Sequence, residues 1–96
     1  MTEGKTLIHV TSEGEKYYVG LERLRYPNLS IKQQMEFNIL FDLILEGKPI
    51  TLREFFGAGR DTIMGRLFLA TNLEVAYVRV LHKLIKQGYV KAEKGR

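Results

Sequence analysis

The sequence predicts an α+β fold that is mostly helical, with an N-terminal β-hairpin and a short C-terminal strand, in a single domain over residues 1–96. Two long stretches carry apolar residues at intervals of three and four, and each follows a helix-capping motif, as in amphipathic helices. Short β-prone runs bounded by glycine lie near both ends of the chain. A chain of 96 residues with 45% hydrophobic residues is large enough to bury its own core.

The N-terminal part, residues 1–29, is predicted to form the hairpin and a connector. Two β-prone runs, Thr6–Val10 and Lys16–Val19, flank Ser12–Glu15, a glycine-containing stretch typical of a hairpin turn. The rest of this part is predicted to be a connector with a short helical turn. His9 has no second metal-ligating residue at a useful spacing, and we interpret it as structural.

A long helix is predicted over Ile31–Glu46, at the start of a core that spans residues 30–96. Ser30 and Gln33 have capping-box spacing, and Gly47 ends the helix. Its apolar residues point almost all the way round, whereas a surface helix of a small monomer shows one apolar stripe. The N-terminal hairpin, a second subunit or both together therefore cover the additional face. We predict a homodimer whose interface includes Met35, Phe37, Phe41 and Ile44.

The elements after this helix are predicted to be short. Pro49–Thr51 is extended, and Leu52–Phe56 begins a helix with Thr51 as its N-cap. Gly57–Gly59 predicts a bend between helices, because it lacks the spacing of a phosphate-binding glycine loop. A further helix is predicted over Ile63–Ala70.

The last predicted helix begins at a capping box formed by Thr71 and Glu74 and ends at Gly88. A short β-prone stretch, Tyr89–Lys91, follows it. The apolar stripe of the helix consists of Leu73, Tyr77, Val80, Leu81, Leu84 and Ile85. This spacing predicts that one face of the helix is buried and that the opposite face is exposed.

The order of cap, helix, glycine, strand and basic turn resembles the recognition helix and wing of winged helix-turn-helix DNA-binding domains. The resemblance rests on Arg79-x-Leu81-x-x-Leu84-x-x-x-Gly88-x-Val90. It implies that Pro49–Thr51 pairs with the wing. A full wing has two strands, and no returning strand follows Lys94-Gly95. Either the wing is a stub with a basic tail, or an N-terminal strand stands in for the missing one.

The outward face of this helix is predicted to read DNA bases in the major groove. Arg79 is suited to a bidentate contact with guanine and Asn72 to one with adenine, and valines contact thymine methyl groups. The alternative for Val78 is packing against the wing or a partner. Glu74 is interpreted as a capping residue. The predicted base-reading residues are Asn72, Val75, Val78, Arg79 and His82.

The charge distribution favours a polyanionic partner for the C-terminal half. Residues 1–47 hold five Lys and Arg against seven Asp and Glu, whereas residues 48–96 hold ten against four. A basic half that contains the proposed recognition helix suggests nucleic acid. The predicted phosphate-contacting residues are Arg53, Arg60, Arg66, Thr71, Lys83, Lys86, Lys91, Lys94 and Arg96.

Two longer stretches, RYPNLSIKQQMEFNILFDLILEGKPITLREFFGAGRD and TNLEVAYVRVLHKLIKQGYV, are similar to small crenarchaeal plasmid proteins. These include site-binding adaptors of archaeal plasmid DNA-segregation (partition) systems. The resemblance implies a dimer on a palindromic, centromere-like DNA site that spreads along DNA, with a bridging partition protein and its ParA-type ATPase as partners. A small transcriptional regulator is the alternative, since it needs the same DNA-reading surface. A winged helix used only for protein–protein contact is disfavoured by the basic half.

The composition argues against several other classes of protein. The chain has no cysteine, which removes disulfides, thiolate metal sites and a cysteine nucleophile. Its two histidines are far apart in sequence and no carboxylate pair forms a recognisable motif, so we predict no enzyme activity, catalytic residue, metal or cofactor. No apolar run approaches the about 20 residues that a membrane span needs. We therefore expect no membrane partner and a cytoplasmic, nucleoid- or plasmid-associated protein.

Overall fold

The computed structural model describes residues 6–56 and 74–94. These residues form several helices and a small β-sheet. The elements are β1 (Thr6–Val10), α1 (Ser12–Leu24), a 3₁₀ turn (Tyr26–Asn28), α2 (Ile31–Glu46), β2 (Ile50–Thr51), α3 (Leu52–Phe56), α4 (Glu74–Lys86) and β3 (Val90–Lys94). The predicted α+β class is therefore confirmed. The predicted bend at Gly57–Gly59 and the predicted helix at Ile63–Ala70 lie outside the described residues.

β1 is the central strand of the sheet in the described part of the chain. It pairs antiparallel with β2 and with β3, which gives the order β2-β1-β3. The pairing with β3 runs from Thr6 opposite Lys94 to Val10 opposite Val90. The expectation that Pro49–Thr51 pairs with the C-terminal strand is therefore wrong, because β1 lies between the two. Of the two alternatives for the missing strand, the one observed is an N-terminal strand beside β3.

Two predictions for the N-terminal part are wrong, namely the second strand of the hairpin and the connector that follows it. Lys16–Val19 lies inside α1, which begins directly after Thr11. The hydroxyl oxygen of Thr11 accepts a hydrogen bond from the backbone N–H of Gly14 at 3.1 Å. Glu13 and Glu15 lie in the first turn, where the helix dipole favours negative charge, and not in a hairpin turn. Capping and the packing of the tyrosine rings therefore override the β-propensity of Tyr-Tyr-Val.

α2 and α3 begin where their capping residues predict. Ser30 accepts a hydrogen bond from the backbone of Gln33 at 3.1 Å, and the Gln33 side chain accepts one from the backbone of Ser30 at 3.0 Å. Thr51 and Glu54 make the same reciprocal pair at the start of α3, with distances of 3.0 and 3.1 Å. α2 ends at Gly47, whose φ of 76° is a conformation that glycine adopts without strain.

The core lies where α2 and α4 pack together and against the sheet. β1 contributes Ile8, which is completely buried, and the other central residues are Leu21, Ile39, Leu40, Leu43, Ile50, Phe55, Tyr77, Leu81, Leu84 and Val90. Because α4 supplies three of these residues, one of its faces is held firmly inside the fold. In residues 6–56 and 74–94, no helix has both the length and the apolar character needed to cross a membrane.

Candidate nucleic-acid interface

The C-terminal end of α4 is closed by two backbone hydrogen bonds around Gly88. The Gly88 N–H donates to the carbonyl of Ile85 at 3.1 Å, and the Tyr89 N–H donates to the carbonyl of Leu84 at 2.9 Å. This arrangement is a Schellman motif, and it requires the positive φ of 88° that Gly88 adopts. The glycine therefore ends the helix where the sequence predicts and turns the chain directly into β3.

The two faces of α4 differ as the apolar stripe predicts. Tyr77, Val80, Leu81 and Leu84 are buried against the rest of the fold, and Ile85 is half-buried. The outward face carries three of the predicted base-reading residues as exposed side chains, namely Val75, Arg79 and His82. Val78 is half-buried, so it lies at the border between the two faces.

Four of the predicted phosphate-contacting lysines are exposed in α4 and β3. These are Lys83, Lys86, Lys91 and Lys94. Lys91 also forms an ion pair of 3.2 Å with Glu93 on the same strand, which offsets part of its charge. Arg53 belongs to α3, but its side chain is outside the described part of the structure. Five predicted contact residues lie outside the described residues, namely Arg60, Arg66, Thr71, Asn72 and Arg96.

A buried amide holds α4 in place against α2. The side-chain nitrogen of Asn38 donates to the hydroxyl of Tyr77 at 3.3 Å and to the hydroxyl of Tyr26 at 3.2 Å. Burial raises the pKa of the Tyr77 phenol, although the hydrogen bond from Asn38 acts in the opposite direction. A buried, hydrogen-bonded pair of this kind makes sliding of α4 along α2 unfavourable, because sliding would leave polar groups without partners.

A second polar contact joins α1 to α2 beside the end of α4. The Tyr17 hydroxyl donates to the carboxylate of Glu36 at 2.5 Å, and Glu36 is only 4% exposed. The Tyr17 ring stacks on Tyr89, with 4.5 Å between ring centroids and 5° between ring planes. Burial raises the pKa of the Tyr17 phenol, and the hydrogen bond to Glu36 and its negative charge raise it further. α1 thereby contacts the turn that follows α4.

Replacing Tyr17 with phenylalanine is expected to lower the free energy of unfolding by about 2 kcal/mol, because the buried Glu36 carboxylate loses a hydrogen-bond donor while the ring stacking is kept. Urea-induced unfolding measures this change. Tyr89→Phe is the matched control, because it also removes a hydroxyl from the stacked pair but leaves the bond between Tyr17 and Glu36 intact. Equal losses in the two variants would contradict this role for the hydroxyl of Tyr17.

The hydrogen bond between Tyr17 and Glu36 also makes the stability of the fold depend on pH in the alkaline range. The pKa of Tyr17 in the folded protein lies above that in the unfolded chain, which is about 10. Above that pH the unfolded chain therefore binds fewer protons than the folded protein, and the free energy of unfolding falls as the pH rises. Below that pH, the contact between Tyr17 and Glu36 contributes fully to the free energy of unfolding. Tyr17→Phe should show a shallower decline above pH 10 than the wild-type protein.

α2 buries polar residues and exposes apolar ones. Glu36, Asn38 and Asp42 are buried, whereas Ile44 is 37% exposed and Leu45 is 66% exposed. Of the predicted dimer residues, Met35, Phe37 and Phe41 are half-buried and Ile44 is exposed. The ring of Phe37 stacks on Tyr18 of α1 at 4.8 Å between centroids, and Tyr18 also faces Phe41 at 6.5 Å. α1 therefore covers part of the second apolar face of α2, and Ile44 and Leu45 remain outside this cover.

Lys32 is a basic residue near α4 that the sequence reasoning missed. It lies in the first turn of α2, which contains no acidic residue, and its side chain is exposed. The neighbouring Lys32 side chain lowers the pKa of Lys83, since a nearby positive charge disfavours the charged form of a lysine. A lysine in the first turn of a helix is unfavourable for the helix dipole, and that signal was visible in the sequence.

Comparisons of this chain with models of protein families, with curated proteins and with solved structures found no match. A function is therefore proposed from the side chains that the fold exposes on α4 and β3, together with the resemblance described for the sequence.

Proposed function

We propose that this protein binds double-stranded DNA at specific sites, with the outward face of α4 in the major groove. The observation that supports this proposal best is the exposed pair Arg79 and His82 on a helix whose opposite face is buried. Arginine is the side chain that most often distinguishes guanine, through two hydrogen bonds to its major-groove edge. The exposed Val75 offers an apolar contact for a thymine methyl group.

The fixed position of α4 supports base reading. Tyr77 is hydrogen-bonded to Asn38 of α2, and the turn at Gly88 and Tyr89 is bound by α1 and its cap. A helix that is already held in place loses little conformational entropy on binding, and this improves affinity and the precision of contacts. Lys83 and Lys86 lie on α4 beside the base-reading side chains, where they would contact the phosphates that flank the groove.

A homodimer is part of this proposal, because a two-fold protein matches a palindromic site. The surface that we assign to the partner copy is defined by Val19 of α1 and by Ile44 and Leu45 of α2, all exposed apolar residues. Ile44 and Leu45 follow Phe41 by about one helical turn. They therefore lie on the side of α2 that carries Phe41, whose ring faces Tyr18 of α1, and Val19 directly follows Tyr18 in the chain.

Ile44→Asp is expected to shift the protein from dimer to monomer, because it places a charge on a surface that the dimer would bury. Sedimentation at micromolar concentration measures the change. Ile31→Asp is the control, since Ile31 is the same residue type and is also exposed, at 73%, but lies in the first turn of α2, at its other end. A wild-type protein that sediments as a monomer would contradict the dimer while leaving DNA binding as a separate question.

Selection of binding sites from random duplexes tests the proposed function directly. A discrete two-fold site, with half-site centres about one helical turn apart, is the expected result for a dimer that reads two major grooves. Weak, strongly salt-dependent binding without an enriched sequence would limit the protein to phosphate contacts. No binding to any duplex would overturn the proposal and favour a fold used for protein–protein contact.

A footprint on the selected site at increasing protein concentration separates two cellular uses. We propose that the protein is the site-binding adaptor of a plasmid segregation system, which is expected to show protection that extends outward from the site. A transcriptional regulator of the same fold would protect the site alone. Both uses need the same α4 surface, so the footprint tests the process that binding serves and the selection tests binding itself.

A further inference from the structure

Four exposed side chains form a single line along the outward face of α4. Val75, Arg79, His82 and Lys86 follow one another at intervals of four, three and four residues, and all four are exposed. Because each residue of an α-helix turns by about 100°, these side chains lie within about 60° of one another around the helix axis. Leu84, which is completely buried, lies on the opposite side. The line is therefore the part of α4 that points most directly away from the core.

The N-terminal end of this line is an exposed apolar residue, Val75. Its side chain is 65% exposed, so it does not fill the core. Valine is also a poorer helix former than alanine, lysine or glutamate, so it does not favour the helix at this position. Its exposed methyl groups are suited to a ligand that presents an apolar group of its own.

Arg79 follows Val75 by one helical turn, which is about 6 Å along the helix axis. Side chains of a helix lean toward its N-terminus, and arginine is much longer than valine, so the guanidinium of Arg79 reaches back toward Val75. Successive bases of a DNA strand are about 3.4 Å apart. If α4 lies in the major groove, the two side chains therefore meet neighbouring base pairs.

We propose that Val75 and Arg79 together read one base step, in which a guanine lies next to a pyrimidine with a C5-methyl group. The proposal rests on the proposed function, because it assumes that α4 lies in the major groove. Guanine presents two hydrogen-bond acceptors in that groove, and Arg79 can donate to both. The C5-methyl group of a neighbouring thymine or 5-methylcytosine lies in the same groove, where it can pack on Val75. The pair thereby recognises a methyl group beside a guanine, whichever of the two pyrimidines carries it.

The test uses the DNA site selected from random duplexes, in which the guanine read by Arg79 is the one whose preference is lost in Arg79→Ala. Duplexes are then made that carry thymine, uracil, cytosine or 5-methylcytosine at the pyrimidine next to this guanine, each with its complementary base. Uracil and cytosine lack the methyl group. We expect thymine to be preferred over uracil, and 5-methylcytosine over cytosine, each by about fourfold, which corresponds to the burial of one methyl group.

Val75→Ala should largely abolish both methyl preferences, because it removes the larger part of the apolar surface that the methyl group contacts. Val75→Ile is the matched control, since it keeps a branched apolar side chain at the same position and should keep both preferences. The exposure of Val75 and the higher helix propensity of alanine mean that Val75→Ala should fold at least as stably as the wild-type protein. A changed preference would therefore come from the contact with DNA and not from a loss of folded protein.

The outcomes that would overturn this inference differ from the one that would overturn the proposed function. A selected site without thymine next to the guanine, or equal binding to the thymine and uracil duplexes, would remove the methyl contact and leave site-specific binding in place. Methyl preferences that persist in Val75→Ala would assign the contact to another side chain. Failure of the wild-type protein to bind any duplex would overturn both proposals together.

Discussion

Arg79→Ala is expected to weaken binding to the selected DNA site by about 1–3 kcal/mol and to relax the preference at one base pair. The exposed guanidinium on the outward face of α4 is the side chain best suited to a bidentate contact with guanine. Competition binding with every single-base variant of the selected site measures both effects. The loss of base preference should be confined to the base pair that Arg79 reads.

Arg23→Ala is the matched control for this experiment. Arg23 is also an exposed arginine in a helix, near the end of α1, so its replacement changes the net charge by the same amount. It should leave the base preference unchanged. If Arg79→Ala instead weakened binding to all sequences equally, Arg79 would contact phosphate and the base-reading role would be wrong.

Gly14→Ala is expected to lower the free energy of unfolding by about 3 kcal/mol, because a methyl group at this position would overlap a backbone atom. A Cβ added to Gly14 would overlap the carbonyl oxygen of Tyr89 and lie 2.8 Å from Cγ1 of Val10. The carbonyl group of Tyr89 cannot move easily. Tyr89 belongs to the turn that closes α4, and its carbonyl already accepts a hydrogen bond from the N–H of Thr11 at 3.0 Å.

Gly20→Ala in the same helix is the control, and the opposite sign is expected. No atom lies within 4 Å of a Cβ added to Gly20. Alanine there should stabilise the protein by about 0.5–1 kcal/mol, since it favours the helix over the unfolded chain. Chemical unfolding of both variants measures the difference. A stabilising effect of Gly14→Ala would show that α1 does not pack closely against the turn after α4.

The elements that could be predicted from the sequence are those whose ends are set by local chemistry. α2 begins at Ser30 with its partner Gln33 and ends at Gly47, and each of these residues acts within a few positions of its place in the chain. The same holds for the turn at Gly88. The buried stripe of α4 was also predictable, because a spacing of three and four residues places side chains on one face of any helix.

The elements that could not be predicted depend on contacts between distant parts of the chain. The Tyr-Tyr-Val stretch has high β-propensity, but in the fold its tyrosines pack on Tyr89 and Phe37, which a local pattern does not reveal. A closer look at spacing would have helped, since Gly14, Tyr17, Tyr18 and Leu21 follow the helical period. Lys32 was missed for the same reason, because its significance depends on Lys83 of another helix.

The pairing of β1 with β3 has a consequence for how the chain folds during synthesis. β1 is synthesised well before its partner over five residues, Val90–Lys94, and a long stretch of chain joins the two strands. Closing so long a loop carries an entropic cost before any of the sheet's contacts form, and such contacts slow folding. We therefore expect the helices to form first and the sheet to join them only after translation has passed Lys94, in one late cooperative step.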